Sequence, residues 1–306
     1  MNSGQPSNVE QLPSQKSAHS LCAVIVTYHP SPQLLEDFHT VADQVDGLVI
    51  IDNGSTADEL SLLRDTSKRL GSQLIENPEN LGIAEALNQG VHVAKEHGHT
   101  WVILFDQDSS IRPGFIDQMF ETWSDHPQRD RIAAIHPRYR DPKTGRELLV
   151  RRAKDGGPIT SMTSGALMPV WAFDKIGWFA SEYFIDCVDT EYCFRIRAAG
   201  YLIADSAQAE LVHAAGNSQV RTILGVSFQP TYHSTMRRYY MARNRIVVFR
   251  KYVSIFPQWA FIPLFDSIRE TIKCFLGEPD RSIKFRRFLL GTWDGLTGRM
   301  GKREGL

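Results

Sequence analysis

Cysteine is scarce: the 306 residues contain four, Cys22, Cys187, Cys193 and Cys274, with no Cys-x-x-Cys spacing. That excludes a disulfide framework and a thiolate zinc knuckle, and makes a reducing, cytoplasmic setting the expectation. Long apolar runs are also missing. The most apolar uncharged one, Tyr252 to Phe265, has 14 residues and is broken by Pro257 and Pro263, whereas a spanning helix needs about 20. Residues 1–20 are polar, rich in Ser and Gln, and lack the apolar centre of a secretory signal, so they read as a flexible leader. Net charge is nearly absent too, with 34 Lys and Arg against 35 Asp and Glu. No overall field favours nucleic acid as a partner. Finally, neither Gly-x-Gly-x-x-Gly nor a Gly-x-x-x-x-Gly-Lys-Ser/Thr loop follows the first strand candidate. Dinucleotide redox chemistry and P-loop phosphoryl transfer therefore lack their backbone cradles. Nucleotidyl transfer lacks the Gly-rich amino-terminal phosphate loop it would need.

What is present alternates. "LCAVIVTY", "GLVIID", "QLIE" and "TWVILFD" are short apolar or β-branched runs. Between them lie helical stripes: Leu34, Phe38, Val41 and Val45; Leu60, Leu63 and Leu70; and Ile83, Leu87, Val91 and Ala94. This predicts an α/β fold whose mostly parallel sheet is covered by helices on both faces and binds ligands beyond the carboxyl ends of its strands. After Pro113 come a strand "RIAAIHP", turns at "DPKTG" and "KDGGP", and an alternating run "ITSMTSGALMPV". A helix from about Asp189 to Gly200 and two further strands, "YLIAD" and "AELVHAA", follow. From Arg237 the chain is helical, aromatic and basic, with 15 basic against 6 acidic residues.

Acidic residues gather at strand ends. Asp106 and Asp108 follow the most apolar strand, separated by Gln107, and extended geometry turns both carboxylates to one side. Such a pair suits Mg²⁺ or Mn²⁺ completed by substrate phosphates, although Asp-Gln-Asp-Ser-Ser also suits an ordinary turn. Asp52 ends "LVIID" before Asn53 and Gly54; it can accept a hydrogen bond from a pyrimidine imide or cap the next helix. Asp186, Asp189 and Glu191 precede Arg195 and Arg197. Asp189 near a helix start fits a general base, and the same residues fit a dipole complement with an i,i+4 pair from Glu191 to Arg195. His213 is either a further metal ligand or a core histidine.

Taken in order, "VIVTYHP", "IIDNGS", "NLGIAEALNQG", "LFDQDSS", "TSGALM", "FIDCVDTEYCFRIRAAGY" and "RRYYMARN" resemble the inverting glycosyltransferases of family 2, and within them the bacterial rhamnosyltransferases of cell-surface polysaccharides. The resemblance runs from Cys22 to Phe249 and implies a GT-A fold. It divides the chain into the leader, a catalytic domain at 21–236 (a nucleotide-binding half at 21–112 and an acceptor half at 113–236) and a helical extension at 237–306. It implies that Thr27, Tyr28 and Asp52 hold the nucleoside, that Gly82 and Asn88 shape its pocket, and that Asp106 and Asp108 form the metal motif, whose coordination sphere His213 is a candidate to complete. Asn53 and Gln107 fall in the same donor-binding set, with Ser164 and Gly165 on the acceptor-side loop and Arg243 near donor phosphate or acceptor. Asp189 matches the catalytic base, although many members carry Glu at the position of Val188.

The implied reaction moves L-rhamnose from dTDP-β-L-rhamnose, or a hexose or N-acetylhexosamine from UDP, to a glycan or lipid-linked glycan. In the extension, Ile268, Ile272, Phe275 and Leu276 form one apolar stripe, and Ile283, Phe285, Phe288, Leu289 and Trp293 mix with Arg281, Lys284, Arg286 and Arg287. That pattern fits either contact with the inner membrane surface or a cap over the sheet.

Overall fold

The computed structural model describes residues 19–141, 145–212, 221–223, 226–228 and 230–306. Its strands are β1 (Leu21–Thr27), β2 (Gly47–Asp52), β3 (Gln73–Glu76), β4 (Trp101–Asp106), β5 (Ile132–Arg140), β6 (Ala166–Pro169) and β7 (Leu202–Val212), with a separate hairpin of β8 (Arg221–Ile223) and β9 (Val226–Phe228). The helices are α1 (Pro32–Glu36), α2 (Phe38–Ala42), α3 (Ala57–Leu70), α4 (Ile83–Glu96), α5 (Phe115–Ser124), α6 (Trp171–Ile176), α7 (Val188–Ala198), α8 (Thr235–Tyr252), α9 (Pro257–Gly277) and α10 (Arg281–Thr297).

The main sheet has the order β3-β2-β1-β4-β6-β5-β7. β1, β2, β3 and β4 are mutually parallel, β6 runs antiparallel to both β4 and β5, and β7 is parallel to β5. β6 is thus the single reversed strand of this sheet. Both faces are covered, which is why β1 reads as an unbroken apolar run. Cys22, Val24 and Val26 pack in one layer with Leu87 and Val91 of α4 and Phe194 of α7. Leu21, Ala23 and Ile25 pack in the other with Phe38, Leu63 and Phe115. Register then sets the site: Thr27 lies opposite Asp52, and Val26 opposite Asp106. Two acidic residues therefore finish adjacent strand pairs at one edge.

Four expectations change. The first helix is two short ones, because Asp37 donates to Leu34 three residues back and interrupts the α ladder. The described parts of "YLIAD" and "AELVHAA" form one strand, β7 (Leu202–Val212), not two; residues 213–215 lie outside the described residues. The polar break is a bulge in which the buried Ser206 hydroxyl accepts from the N–H groups of Gln208 and Ala209, and the register against β5 jumps from His136–Asp205 to Arg138–Glu210. Only Ala166–Pro169 of the alternating run is a strand. Lys284 is buried against Glu278 and does not join the surface mixture.

The helical extension packs on itself through small residues. A Cβ at Gly291 would lie 2.2 Å from the Tyr239 carbonyl oxygen, and one at Gly295 would lie 2.7 Å from that of Arg243, so α10 approaches α8 backbone to backbone. Among the described residues no helix is long and apolar enough to cross a membrane.

Gly90 tests the packing of α4 on β1, since a Cβ there would meet Cγ1 of Val24 at 2.2 Å. Alanine in a helix interior normally stabilises by about 1 kcal/mol over glycine. Gly90→Ala is expected instead to destabilise by about 1–3 kcal/mol through overpacking, read as a lower urea midpoint; a rise would contradict the close approach.

Candidate active site

The carboxylate of Asp52 is fully buried and accepts hydrogen bonds from Thr27 Oγ1 at 3.0 Å, Gly54 N at 3.1 Å, Ser55 N at 2.8 Å and Ser55 Oγ. Four donors match the lone-pair sites of one carboxylate. Asp52 thus shapes the loop after β2, and its hydrogen bonds are those of the turn. Asn53 extends this network: its amide donates to Asn80 Oδ1, and its oxygen accepts from Leu81 N. Gly54 is at φ +96°, and a Cβ there would strike the backbone of Glu79 at 2.6 Å. Gly82, at φ +90°, sits where a Cβ would meet the Phe184 carbonyl oxygen at 2.6 Å. Asn88 points elsewhere, clamping Phe179 through both its N–H and its carbonyl.

β4 ends at Asp106, and residues 107–108 form a turn closed by Ser109 N–H to the Asp106 carbonyl at 3.1 Å. The expectation of extended geometry through Asp108 is therefore corrected: the chain turns there, leaving Asp106 half-buried and Asp108 exposed. Gln107 ties this turn to the loop after β1, accepting from Tyr28 N and donating to Tyr28 O, while the Tyr28 ring stays exposed. Behind it, Ser164 Oγ lies 2.6 Å from Ser109 Oγ and accepts from Asp106 N at 3.3 Å. Gly165, at φ +80°, donates to Leu104 O.

Among the described residues no group of three or more His, Cys, Asp or Glu gathers to hold a metal ion. Two neighbouring carboxylates at an open edge nevertheless fit Mg²⁺ or Mn²⁺, which commonly take one or two carboxylates and complete their shell with substrate phosphates. His213 lies outside the described residues; Val212, before it, bridges Ser110.

The segment before α7 is heavily constrained. Phe184, Asp186 and Cys187 all have positive φ, at +65°, +65° and +61°. Such residues are strained unless their surroundings hold them. Here they are held. The carbonyl of Glu182 accepts from Gly301 N and Arg243, that of Tyr183 from Arg243 and Asn244, that of Phe184 from Ile83 N, and those of Ile185 and Asp186 from Asn244. Arg243 is completely buried, and its remaining hydrogen bonds go to Gly301 O and Asn244 Oδ1. Its position is that of a backbone clamp.

Asp189 follows on the first turn of α7, half-buried, with its carboxylate accepting from Thr190 N at 2.6 Å. Burial raises its pKa above the usual aspartate value, and the nearby Asp186 charge adds to this, against the pull of the Thr190 hydrogen bonds and Arg237. Arg237 of α8 grips Asp186 at 3.1 Å. Burial opposes its charge, but Asp186, Asp106 and Asp189 outweigh that and hold its pKa above the ordinary arginine value. The buried Tyr139 phenol likewise feels burial first, then the charges of Asp189 and Asp106 among others. Two independent side chains thus sense both carboxylates, one from β4 and one from α7. Glu191 is different: wholly buried, bonded to Arg195, Lys251 and the Tyr252 hydroxyl, it joins α7 to α8.

A cleft of about 540 Å³ opens beside Asp189, with Tyr139, Thr190, Arg245, Trp259 and Arg269 among its walls. Sequence reading missed Arg245, Trp259 and Arg269 because they come from helices whose docking onto the sheet leaves no local periodic signal. The pairing of Arg237 with Asp186 joins residues already noted separately.

The seven-stranded order with one reversed strand, together with the solved structures that superpose on this chain, marks the fold as GT-A. A mannosyltransferase from Pyrobaculum calidifontis, in complex with GDP-Man and Mn²⁺, superposes with a TM-score of 0.62 at 15% identity, over 96% of this chain and 91% of that one. S. aureus TarS 1-349 in complex with UDP-GlcNAc gives 0.53 at 12% identity, over 91% and 92%. Residues 22–168 match the family described as Glycosyl transferase family 2. The dTDP-rhamnosyl transferase RfbF of Shigella flexneri is 30% identical over 303 residues, spanning 92% of this chain and 97% of that one. An N-acetylglucosaminyl-diphospho-decaprenol L-rhamnosyltransferase of Mycobacterium tuberculosis is 26% identical over 246 residues, 66% of this chain and 78% of that one. The chain belongs to glycosyl transferase family 2 and is a glycosyltransferase.

The Asn244 amide nitrogen lies 2.7–2.9 Å from three carbonyl oxygens of the segment before α7, which share its two N–H groups. Asn244→Leu keeps the volume and removes them, leaving carbonyls unpaired, and is expected to cost about 2–3 kcal/mol of stability in chemical denaturation; a cost below about 0.5 kcal/mol, that of an ordinary surface change, would contradict the clamp.

Proposed function

We propose that the enzyme transfers L-rhamnose from dTDP-β-L-rhamnose to a hydroxyl of a glycan or lipid-linked glycan acceptor, with inversion at the anomeric carbon and Asp189 as general base. The observation that carries this reading is the Asp189 carboxylate, made more basic by burial, at the wall of a cleft and sensed with Asp106 by the same guanidinium. The rhamnosyl donor is supported by the names of the Shigella and mycobacterial relatives.

In this mechanism the acceptor hydroxyl enters the cleft and attacks the anomeric carbon from the face opposite dTDP. Its proton passes to Asp189 as the new C–O bond forms, and the bond from the anomeric carbon to the diphosphate oxygen breaks, with the electron pair leaving on dTDP. Arg237, tied to Asp186, keeps a positive charge between Asp189 and the β4 edge and limits repulsion among the three carboxylates. Asp106 and Asp108, with His213 as a third candidate, would hold Mg²⁺ or Mn²⁺, a reading also supported by the Mn²⁺ of the Pyrobaculum neighbour. Bound there, the ion supplies positive charge to the departing diphosphate.

Asp189→Asn is expected to lower turnover by about 10²- to 10⁴-fold while donor affinity is retained. Undiminished turnover in a rhamnosyl transfer assay would refute the base assignment. The pH profile gives a second check. Since folding raises the Asp189 pKa, the active carboxylate is lost as pH falls through that raised value, so kcat/KM should show an acid limb above the usual aspartate pKa of about 3.9. The residual activity of the Asn variant should lack that limb. For the donor, dTDP-β-L-rhamnose with Mn²⁺ is expected to raise the melting temperature and to support transfer; equal or better performance by a UDP-hexose or UDP-N-acetylhexosamine would overturn the nucleotide reading.

A further inference from the structure

α7 turns one stripe toward the sheet: Asp189, Tyr192, Cys193 and Ile196, at spacings i, i+3, i+4 and i+7. Opposite it stand Ala134 and His136 of β5 and Ala166 and Met168 of β6, each pair two residues apart and so on one face of its strand. Most of these side chains belong to one apolar layer, and His136 is enclosed with them. Asp189 therefore has two sides. It lines the cleft, and behind the cleft it lines a void of about 10 Å³ shared with His136 and Tyr192, which is about the room of one water molecule.

His136 and Tyr192 are 4% and 2% exposed, and neither ring nitrogen of the one nor the hydroxyl of the other has a partner at hydrogen-bonding geometry among the described residues. Buried polar atoms left unpaired are costly, and a water in a polar void of this size commonly satisfies them. Burial pushes the His136 pKa down to about 4, against the pull of the Met162 backbone and the Asp205 charge. Its ring is thus neutral at ordinary pH, with one nitrogen a donor and the other an acceptor. Burial pushes the Tyr192 phenol up, so its O–H remains a donor. The Asp189 carboxylate accepts at about four sites, and Thr190 takes two of them, both on Oδ1. One water, with two hydrogens to give and lone pairs to receive, matches what these three groups have left.

We propose that the void behind Asp189 holds one ordered water that donates to the Asp189 carboxylate and to the acceptor nitrogen of His136 and accepts from the Tyr192 hydroxyl, which makes His136 and Tyr192 positioning residues for the base. The inference deepens the proposed function and rests on Asp189 as the base. The water holds the carboxylate from behind while its front meets the acceptor hydroxyl. By donating to the charged form it favours an ionised Asp189. The other charged or titratable groups that act on this carboxylate are Asp186, Arg237 of α8, and the buried Tyr139, Cys187 and Cys193.

The test joins a crystal structure of the wild-type enzyme to pH profiles of kcat/KM for His136→Leu, Tyr192→Phe and His136→Gln. The crystal should show a water within hydrogen-bonding distance of His136, Tyr192 and Asp189. His136→Leu and Tyr192→Phe each remove one anchor of that water, so Asp189 takes up a proton more readily: the acid limb should move up by about one pH unit and kcat fall about tenfold, with the donor KM unchanged. Tyr192→Phe removes no charge, so a shift shared by both variants reports the lost hydrogen bond and not a lost imidazolium. His136→Gln, whose amide oxygen accepts from the water, should restore the wild-type limb. A limb that stays in place in both variants, a glutamine variant no better than the leucine variant, or a crystal structure without that water overturns the proposal. Undiminished turnover of Asp189→Asn would overturn the base assignment and with it the positioning role, whereas an inactive Asp189→Asn beside an unmoved limb removes this inference alone.

Discussion

Two adjacent side chains of α8, Arg243 and Asn244, hold four of the five carbonyl groups between Glu182 and Asp186, and Ile83 N–H takes the fifth. A buried backbone carbonyl without a partner is costly, and three left-handed non-glycine residues within four positions add strain. The segment keeps this shape because α8 supplies donors in the right places. α8 in turn is fixed by the backbone approach of α10 at Gly291 and Gly295. The carboxyl-terminal helices are thus a structural condition for where Asp189 stands. The Ile83 bond does the same from the other side, joining the start of α4 to the loop that precedes α7.

Electrostatics follows from this geometry. Asp106 arrives at the edge by strand register, Asp189 by the clamped loop, and Asp186, in that loop, is met by Arg237. Burial and the Asp186 charge raise the Asp189 pKa, while the Thr190 hydrogen bonds and the Arg237 guanidinium, itself paired with Asp186, pull it the other way. In the proposed mechanism a raised pKa suits Asp189 to act as the base.

The strands that carry the site were legible because each is buried on both faces: "LCAVIVT", "GLVIID" and "WVILFD" admit no polar residue before their last position. Asp52 and Asp106 stood out for that reason. β7 was read as two strands because Ser206 and Gln208 interrupt it, and nothing local reveals that the Ser206 hydroxyl satisfies a bulge. Asp108 was placed by strand periodicity one turn too far. Arg243 shows the limit most clearly. From the resemblance Arg243 reads as lying near donor phosphate or acceptor, and only its complete burial against carbonyl oxygens reveals the clamp. The Arg237–Asp186 pair depends on how helices dock, which no period within either segment encodes.

If α8 acts on catalysis by positioning the base, its contribution must vanish once the base is gone. A kinetic double-mutant cycle on turnover, combining Asn244→Leu with Asp189→Asn, measures this directly. The account predicts that Asn244→Leu slows the wild-type enzyme yet leaves the Asp189→Asn enzyme almost unchanged, so the double variant turns over at the rate of Asp189→Asn alone. Losses that multiply independently would contradict it.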